Sequence, residues 1–188
     1  MKPRLIVMLK EPRVGRVKTR LGAEIGPVPA TWWFRHQVRR LLRNVQDPRW
    51  ETVLAVSPQR ALHARAWPAH LPRLPQGRGS LGARMARVMR GHRGRVCLIG
   101  ADIPGITPAH IADSFALLGS ADAVFGPALD GGYWLLGFKQ TATLPAGLFE
   151  GVRWSTPHAM ADTIATLPRY KVAFSASLRD VDTADDLQ

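Results

Sequence analysis

The chain has 188 residues, of which 46% are hydrophobic, and its 26 Lys and Arg against 14 Asp and Glu give a formal net charge of +12. Length and apolar content predict one domain, residues 1–188, with a sizeable core. The single cysteine excludes an internal disulfide, and no apolar run approaches the length of about 18 residues that a membrane helix needs, so a cytoplasmic protein without a membrane span is expected.

The positive charge attracts polyanions whatever the fold, so nucleic acid is one partner to consider. The cations are interrupted by Gly, Pro and apolar positions, and the sequence has no zinc-ligand spacing, arginine-rich tail or aromatic RNA-binding signature. A nucleic-acid partner is therefore not favoured, and we expect an anionic small substrate together with a generally basic surface.

Short apolar runs alternate along the chain with segments of helical periodicity. The strand-like runs cover residues 4–9, 51–56, 95–100, 121–126, 133–138 and 171–174. Helical spacing covers 29–45, 80–92, 107–119 and 156–167, and Ser80, Thr107 and Thr156 stand where helix N-caps are expected. This alternation predicts an α/β fold, a single-domain three-layer αβα sandwich with a Rossmann-like, mostly parallel sheet.

The segment LKEPRVGRVKTRLG, residues 9–22, follows the first strand and is rich in positive charge. It has the pattern of a loop that binds phosphate, because a glycine lets the backbone approach closely while Lys and Arg neutralise oxygens. It is not a Walker A loop, since Val17 rather than Gly precedes Lys18. A solvated charged turn is the alternative. The cations concerned are Lys10, Arg13, Arg16, Lys18 and Arg20, around Gly15.

Residues 67–79, rich in proline, predict a long functional loop. The GRGSLG that ends it, residues 77–82, matches the dinucleotide fingerprint GxGxxG, with Asp102 twenty residues further on. Two prolines precede the match and argue against a central parallel strand there, so an NAD- or FAD-dependent oxidoreductase is only a competing hypothesis. The favoured interpretation is that Leu81, Gly82 and Arg84 place a helical turn and one guanidinium near a ligand.

The motif RVCLIGADIPG, residues 95–105, predicts a buried strand whose end projects Asp102 from the carboxyl edge of the sheet. A divalent cation is the expected partner, because Mg²⁺ commonly takes one or two protein carboxylates and completes its shell with water and substrate phosphates. The alternative is that Asp102 is a turn or cap residue.

Two further groups of acidic residues lie towards the C-terminus. Asp130, Gly131 and Gly132 connect two predicted strands, and the pattern is explained by a tight turn with no function required. In LRDVDTADDLQ, residues 178–188, a helix cap explains the later aspartates, whereas Asp180 or Asp182 could face a cation beside Asp102.

The motifs LKEPRVGRVKTRLG, SLGARM, LIGADIPGIT, GPALDGGYWLLG, FEGVRWST and LRDVDTADDL together resemble a family of bacterial glycosyltransferase-like proteins in the nucleotide-diphospho-sugar transferase superfamily. The resemblance implies a GT-A fold that binds a nucleotide at its first strand and Mg²⁺ or Mn²⁺ at an aspartate motif. It further implies phosphate contacts from Lys10, Gly15, Lys18 and Arg20, base or phosphate contacts from Gly82 and Arg84, metal binding by Asp102 and Asp182, sugar or acceptor contacts from Asp130, Gly131 and Gly132, and a pocket wall from Trp154.

The sequence departs from a typical glycosyltransferase because the usual DxD is reduced to Asp102, Ile103 and Pro104. The Lys-Thr-Arg-Leu stretch also resembles the phosphate loop of nucleotidyltransferases. We expect a metal-dependent transferase that transfers a glycosyl group from a nucleoside-diphosphate sugar to an unidentified small acceptor, with nucleotidyl transfer from a triphosphate as the alternative. A non-catalytic nucleotide binder, a nucleic-acid binder and an oxidoreductase are the competing classes, and the residues identify no catalytic group.

Overall fold

A computed structural model of the protein describes residues 1–179 and 183. Within these residues the chain alternates strands and helices, as the periodicity predicts. The strands are β1 (Arg4–Lys10), β2 (Glu51–Ser57), β3 (Arg73–Pro75), β4 (Val96–Ile99), β5 (Ala123–Pro127), β6 (Tyr133–Phe138) and β7 (Val172–Phe174). The α-helices are α1 (Thr19–Ile25), α2 (Pro27–Asn44), α3 (Leu81–Arg90), α4 (Pro108–Leu117) and α5 (Ala159–Ala165), and a short 3-10 helix covers Gln59–His63.

The strands form one mixed sheet in the order β3-β2-β1-β4-β6-β5-β7. β1 pairs in parallel with β2 and β4, β3 with β2, and β7 with β5, whereas β6 runs antiparallel between β4 and β5. The mostly parallel sheet predicted from the sequence is therefore confirmed. A central parallel pair, β1 with β4, brings the segments that follow both strands to one edge of the sheet.

Two apolar cores lie on opposite faces of this sheet, which makes the three layers. One core packs α2 and α4 against Leu5, Val7 and Leu9 of β1. The other packs α3 against alternate positions of the sheet, including Ile6 and Leu98. The side chains of β1 alternate between the two faces of the sheet. Because both faces are buried, this strand is a continuous apolar run in the sequence.

The helix ends follow the sequence in two of three predicted places. The Ser80 side chain accepts a hydrogen bond from the backbone N–H of Ala83, and that of Thr107 accepts one from His110. Thr156 is not an N-cap, because α5 begins at Ala159 and its N-cap position is His158. The hydroxyl of Thr156 instead donates to the backbone carbonyl of Arg153.

The predicted loop at residues 67–79 contains a strand that the sequence analysis missed. β3 is only three residues long and lies at the edge of the sheet, where a proline costs no ladder hydrogen bond on the open side. The two prolines that argued against a central strand are thus compatible with this edge position. No helix in the described part of the chain is long and apolar enough to cross a lipid bilayer.

Candidate functional site

The carboxyl edge of the sheet opens into a cavity of about 690 Å³. The segments that follow β1, β3 and β4 reach this edge, together with the turn between β5 and β6. This is the position at which ligands bind in open α/β sheets, and the volume suits a molecule of the size of a nucleotide. Of the residues predicted from the sequence, those that line the cavity are Lys10, Arg16, Lys18, Arg20, Leu81, Arg84, Asp102, Asp130, Gly132 and Trp154.

Lys18 and Asp102 form an ion pair inside this cavity, although 84 residues separate them in sequence. The Lys18 Nζ lies 2.9 Å from Asp102 Oδ2, and the lysine side chain is only 7% exposed whereas the aspartate is 38% exposed. Lys18 also has a left-handed backbone, with φ 45° and ψ 52°, directly before α1. Such a conformation is unfavourable for a non-glycine residue and is found where the surrounding structure holds a functional side chain in place.

Positive charge dominates one wall of the cavity, which we call the basic wall. Its residues come from the end of β1, the loop that follows, the start of α1 and the first turn of α3, so the fold gathers charges that are distant in sequence. A concave site lined by one sign of charge raises the local concentration of oppositely charged ligands. The basic wall consists of Lys10, Arg16, Lys18, Arg20 and Arg84.

Gln76 is a cavity residue that the sequence analysis did not identify. It follows β3 and is only 4% exposed. Its amide Nε2 donates to the backbone carbonyls of Leu9 and Ala55, and its Oε1 accepts from Arg84 Nη1 at 3.0 Å. A glutamine after an unrecognised three-residue strand gives no sequence signal, because its partners are backbone groups of other strands.

A second part of the cavity lining, which we call the turn wall, is formed by Asp130, Gly132, Tyr133 and Trp154. The Asp130 carboxylate accepts from the backbone N–H of Gly132 at 2.8 Å, which confirms the predicted tight turn. Burial raises the pKa of Tyr133 well above its usual value, against the opposing effect of the hydrogen bond with Thr163. The phenol is therefore neutral at physiological pH.

Three glycines predicted as ligand contacts are absent from the cavity lining: Gly15, Gly82 and Gly131. Packing explains two of them. A Cβ on Gly82 would lie 2.4 Å from the Cβ of Phe149, and one on Gly131, which has φ +84°, would lie 2.3 Å from the carbonyl oxygen of Pro157. These glycines allow close approach of protein segments, and the predicted contacts with phosphate, base or acceptor receive no support from their placement.

The GxGxxG match has a similar explanation. A Cβ on Gly77 would lie 2.6 Å from Arg87 Nη1, and this nitrogen donates to the backbone carbonyl of Gln76. The first and last glycines of the motif thus make room for Arg87 and Phe149 rather than for a pyrophosphate.

One of the two predicted metal ligands lies outside the part of the chain that the structure describes. Asp182 lies outside the described residues, and residues 1–179 with 183 contain no group of three or more His, Cys, Asp or Glu that could hold a metal ion. Asp102 lines the cavity and provides a carboxylate that contacts Lys18 of the basic wall. One carboxylate fits Mg²⁺ or Mn²⁺ in kind, because phosphate oxygens and water provide the other ligands.

Residues 41–156 match a family described as "Uncharacterized protein conserved in bacteria (DUF2064)". A crystal structure of a "putative nucleotide-diphospho-sugar transferase" from Desulfovibrio desulfuricans G20 is 30% identical, covers 100% of this chain and 85% of its own, and superposes with a TM-score of 0.87. The chain therefore belongs to the DUF2064 family. No curated protein sequence matches it.

Two more distant crystal structures share the fold. Rv0371C from Mycobacterium tuberculosis H37Rv, solved as a complex with manganese, is 15% identical with a TM-score of 0.55 and covers 100% of this chain and 96% of its own. The 4-diphosphocytidyl-2C-methyl-D-erythritolsynthase from Anaerococcus prevotii DSM 20548 is 8% identical with a TM-score of 0.62 and covers 99% and 94%. The predicted GT-A-type fold, the family resemblance and the class of enzyme, a transferase, are confirmed.

Proposed function

We propose that the protein is a metal-dependent transferase that takes a nucleotide-activated substrate, with glycosyl transfer from a nucleoside-diphosphate sugar as its reaction. The observation that carries the proposal is the contact between Lys18 and Asp102. The first belongs to the predicted phosphate loop and the second to the predicted metal motif, and both face one cavity. A ligand with negative phosphates and a bound cation suits both charges of this pair.

The basic wall supports binding of a pyrophosphate group. Transfer from a nucleotide sugar leaves a nucleoside diphosphate, so negative charge develops on the phosphate next to the breaking bond. Lys18 and Arg84 would stabilise that charge, and preorganised cations in a site shielded from water lower such a barrier by several kcal/mol. We assign Lys10 and Arg20 the same kind of contact, since both line the cavity.

Asp102 would hold the divalent cation, which supplies further positive charge at the leaving phosphate. The Lys18 ammonium must then share or give up the carboxylate oxygen that it contacts at 2.9 Å. The ammonium would remain beside the phosphates, so ligand binding replaces its contact with Asp102 by contacts with the substrate.

The turn wall would receive the sugar or the acceptor. Asp130 and Trp154 line the cavity, and the negative charge of Asp130 disfavours phosphate beside it. A carboxylate and an aromatic face are typical groups for binding hydroxyl-bearing molecules, so we assign this side to the sugar or acceptor. The acceptor itself is not identified by the geometry.

Nucleotidyl transfer from a nucleoside triphosphate is the second candidate. The basic wall contains five cations, Lys10, Arg16, Lys18, Arg20 and Arg84, more than a diphosphate alone requires. With a triphosphate, the same cations would stabilise a pyrophosphate leaving group while the acceptor attacks the α-phosphorus. We further propose that the whole chain, residues 1–188, forms one domain that acts in the cytoplasm.

A thermal-shift and calorimetry screen tests the proposal. Nucleoside diphosphates, triphosphates and nucleotide sugars are compared, each with Mn²⁺ and with EDTA. A ligand at 100 times its Kd should stabilise the fold by about 2.7 kcal/mol. Preference for nucleotide sugars supports the first candidate and preference for triphosphates the second, whereas binding of none of them by the intact protein contradicts both.

Asp102→Ala tests the metal assignment. We expect the variant to lose the gain in nucleotide affinity that Mn²⁺ gives the wild type and to keep the affinity measured in EDTA. Asp113→Ala, which removes an exposed carboxylate on α4, is the matched control and should behave as the wild type. Full Mn²⁺ dependence in Asp102→Ala would show that the metal lies elsewhere.

A further inference from the structure

Gln76 has an amide orientation that its partners determine. Both N–H bonds of Nε2 point to backbone carbonyls, those of Leu9 at 3.0 Å and Ala55 at 2.9 Å. Because a carbonyl can only accept, the nitrogen must face these two groups and the oxygen must face Arg84. The buried amide is thus fixed by strands β1 and β2 and presents one acceptor to the cavity.

Arg84 uses one nitrogen for that acceptor and has another available. Its Nη1 donates to Gln76 Oε1 at 3.0 Å. Its Nε is buried and has no hydrogen-bond partner among the residues that the structure describes, although the side chain lines the cavity. A buried unsatisfied donor is costly, and at a ligand cavity such a group is normally satisfied by the ligand.

We propose that Gln76 is a positioning residue that holds the guanidinium of Arg84 ready for a phosphate oxygen of the substrate. This inference rests on the proposed function, since it assumes that the cavity binds a phosphorylated ligand. A neutral amide restricts the arginine without cancelling its charge, whereas a carboxylate at position 76 would form an ion pair with it. The full positive charge of Arg84 therefore remains available to the ligand, and the free Nε–H gives the contact a direction.

A purely structural role for Gln76 is the alternative explanation. Its two bonds to β1 and β2 also connect the edge of the sheet, so a loss of stability in a Gln76 variant would not discriminate between the roles. The two roles differ in what happens when Arg84 is absent. A positioning residue loses its effect on ligand affinity, whereas a structural residue keeps it.

A double-mutant cycle on ligand affinity makes this distinction. Affinity for inorganic pyrophosphate, UDP, GDP, CDP and ADP, each with Mn²⁺, is measured by calorimetry on the intact chain. Arg84→Ala should weaken the tightest-binding probe by roughly 10- to 100-fold, the range for a hydrogen bond to a charged group. Gln76→Ala should weaken it by roughly 5- to 10-fold in the wild type and by less than about 2-fold in the Arg84→Ala background.

Arg87 provides the matched control. It lies one helical turn further along α3, and its Nη1 donates to the backbone carbonyl of Gln76. Unlike Arg84, it does not line the cavity. Arg87→Ala removes the same charge and should change affinity by less than about 2-fold, because only Arg84 faces the ligand.

Arg84→Lys keeps the experiment decisive if Gln76→Ala does not fold. Lysine preserves the charge but lacks the Nε–H and the planar group that Gln76 orients, so we expect most of the loss seen in Arg84→Ala. Wild-type affinity in Arg84→Lys, or equal effects of Gln76→Ala with and without Arg84, would overturn the positioning role. If the wild type bound none of the probes, the proposed function would instead be overturned, and the positioning role with it.

Discussion

The two sides of the cavity are built in different ways. On the basic wall, side chains depend on partners far away in sequence: Lys18 is held by Asp102, 84 residues on, and Arg84 is held by Gln76, which is itself held by Leu9, 67 residues back. On the turn wall, Asp130 is held by Gly132, two residues on. The basic wall therefore exists only when the sheet is complete, while the turn is formed by local hydrogen bonds.

This difference separates two expected functions. A ligand that brings negative phosphates and a cation competes directly with the Lys18–Asp102 contact, so its binding depends on the basic wall. The turn wall offers one local carboxylate and an aromatic surface, and we expect these to affect binding of the sugar or the acceptor. Substitutions on the two sides should therefore change different measured quantities.

Lys18→Ala should give the larger effect on binding of the activated substrate. Removal of a charged donor from a partly buried site costs about 1.5–3 kcal/mol, which corresponds to roughly 10- to 100-fold in Kd for a nucleoside diphosphate with Mn²⁺. Asp130→Asn keeps the size of the side chain and should change the same Kd by less than about 2-fold, while lowering the rate of transfer. Calorimetry measures the first quantity and a product assay the second.

The opposite result would remove the distinction between the two walls. If Asp130→Asn weakened nucleotide binding as much as Lys18→Ala, the phosphates would lie against the turn and the assignment of the two sides would be reversed.

Gly82→Ala tests whether this glycine serves packing or ligand binding. The added methyl group would lie 2.4 Å from the Cβ of Phe149 and 3.2 Å from Cζ2 of Trp154, so the first turn of α3 must move. Such overpacking costs about 1–3 kcal/mol, which urea unfolding measures as a lower midpoint with an unchanged m-value.

Gly91→Ala is the matched control for this substitution. Gly91 follows α3 directly, and an added Cβ there has no heavy atom within 4 Å, so stability should change little. If Gly82→Ala kept wild-type stability but lost nucleotide affinity, the glycine would be a ligand contact, as the family resemblance implies, and the packing explanation would be wrong.

The features that the sequence predicts well are those that depend on nearby residues. Apolar runs located the central strands, because a strand buried on both faces, such as β1, has no polar residue between its two ends. The caps at Ser80 and Thr107 and the turn at Asp130 are likewise formed by side chains that bond backbone groups two or three residues away. The position of Lys18 and Asp102 at one edge followed from the rule for parallel sheets.

The features that were missed depend on the tertiary structure. Strand β3 is three residues long and contains Pro75, so its sequence resembles a loop until β2 supplies a partner. Gln76 gains its role from carbonyls of two other strands, and Gly82 gains its role from Phe149, 67 positions along the chain. Periodicity and spacing do not contain these contacts.

His92 allows the stability of the fold to be separated from the site by pH. It lies before β4, at the end of the sheet opposite the cavity, is 7% exposed, and its Nε2 is 3.1 Å from the carbonyl oxygen of Lys2. Burial lowers the pKa of His92 below the ordinary value of 6.5, and the charges of Arg4 and of the N-terminus act in the same direction. The hydrogen bond to Lys2 and the charge of Glu51 oppose the shift.

The sign of the effect follows from this lowered pKa. Below pH 6.5 the unfolded chain takes up a proton before the folded chain does, so the stabilisation is present above this pH and is lost as the pH falls towards the folded-state pKa. One such group contributes a slope of at most about 1.4 kcal/mol per pH unit. His92→Gln keeps a donor for the carbonyl of Lys2 but has no titrating ring. Urea unfolding is measured between about pH 7 and pH 5, the range in which a histidine titrates. The variant should lose less stability over this range than the wild type. Nucleotide affinity at pH 7 should be the same in both proteins, because His92 lies at the other end of the strands; an affinity loss there would mean that the two ends of the sheet are coupled.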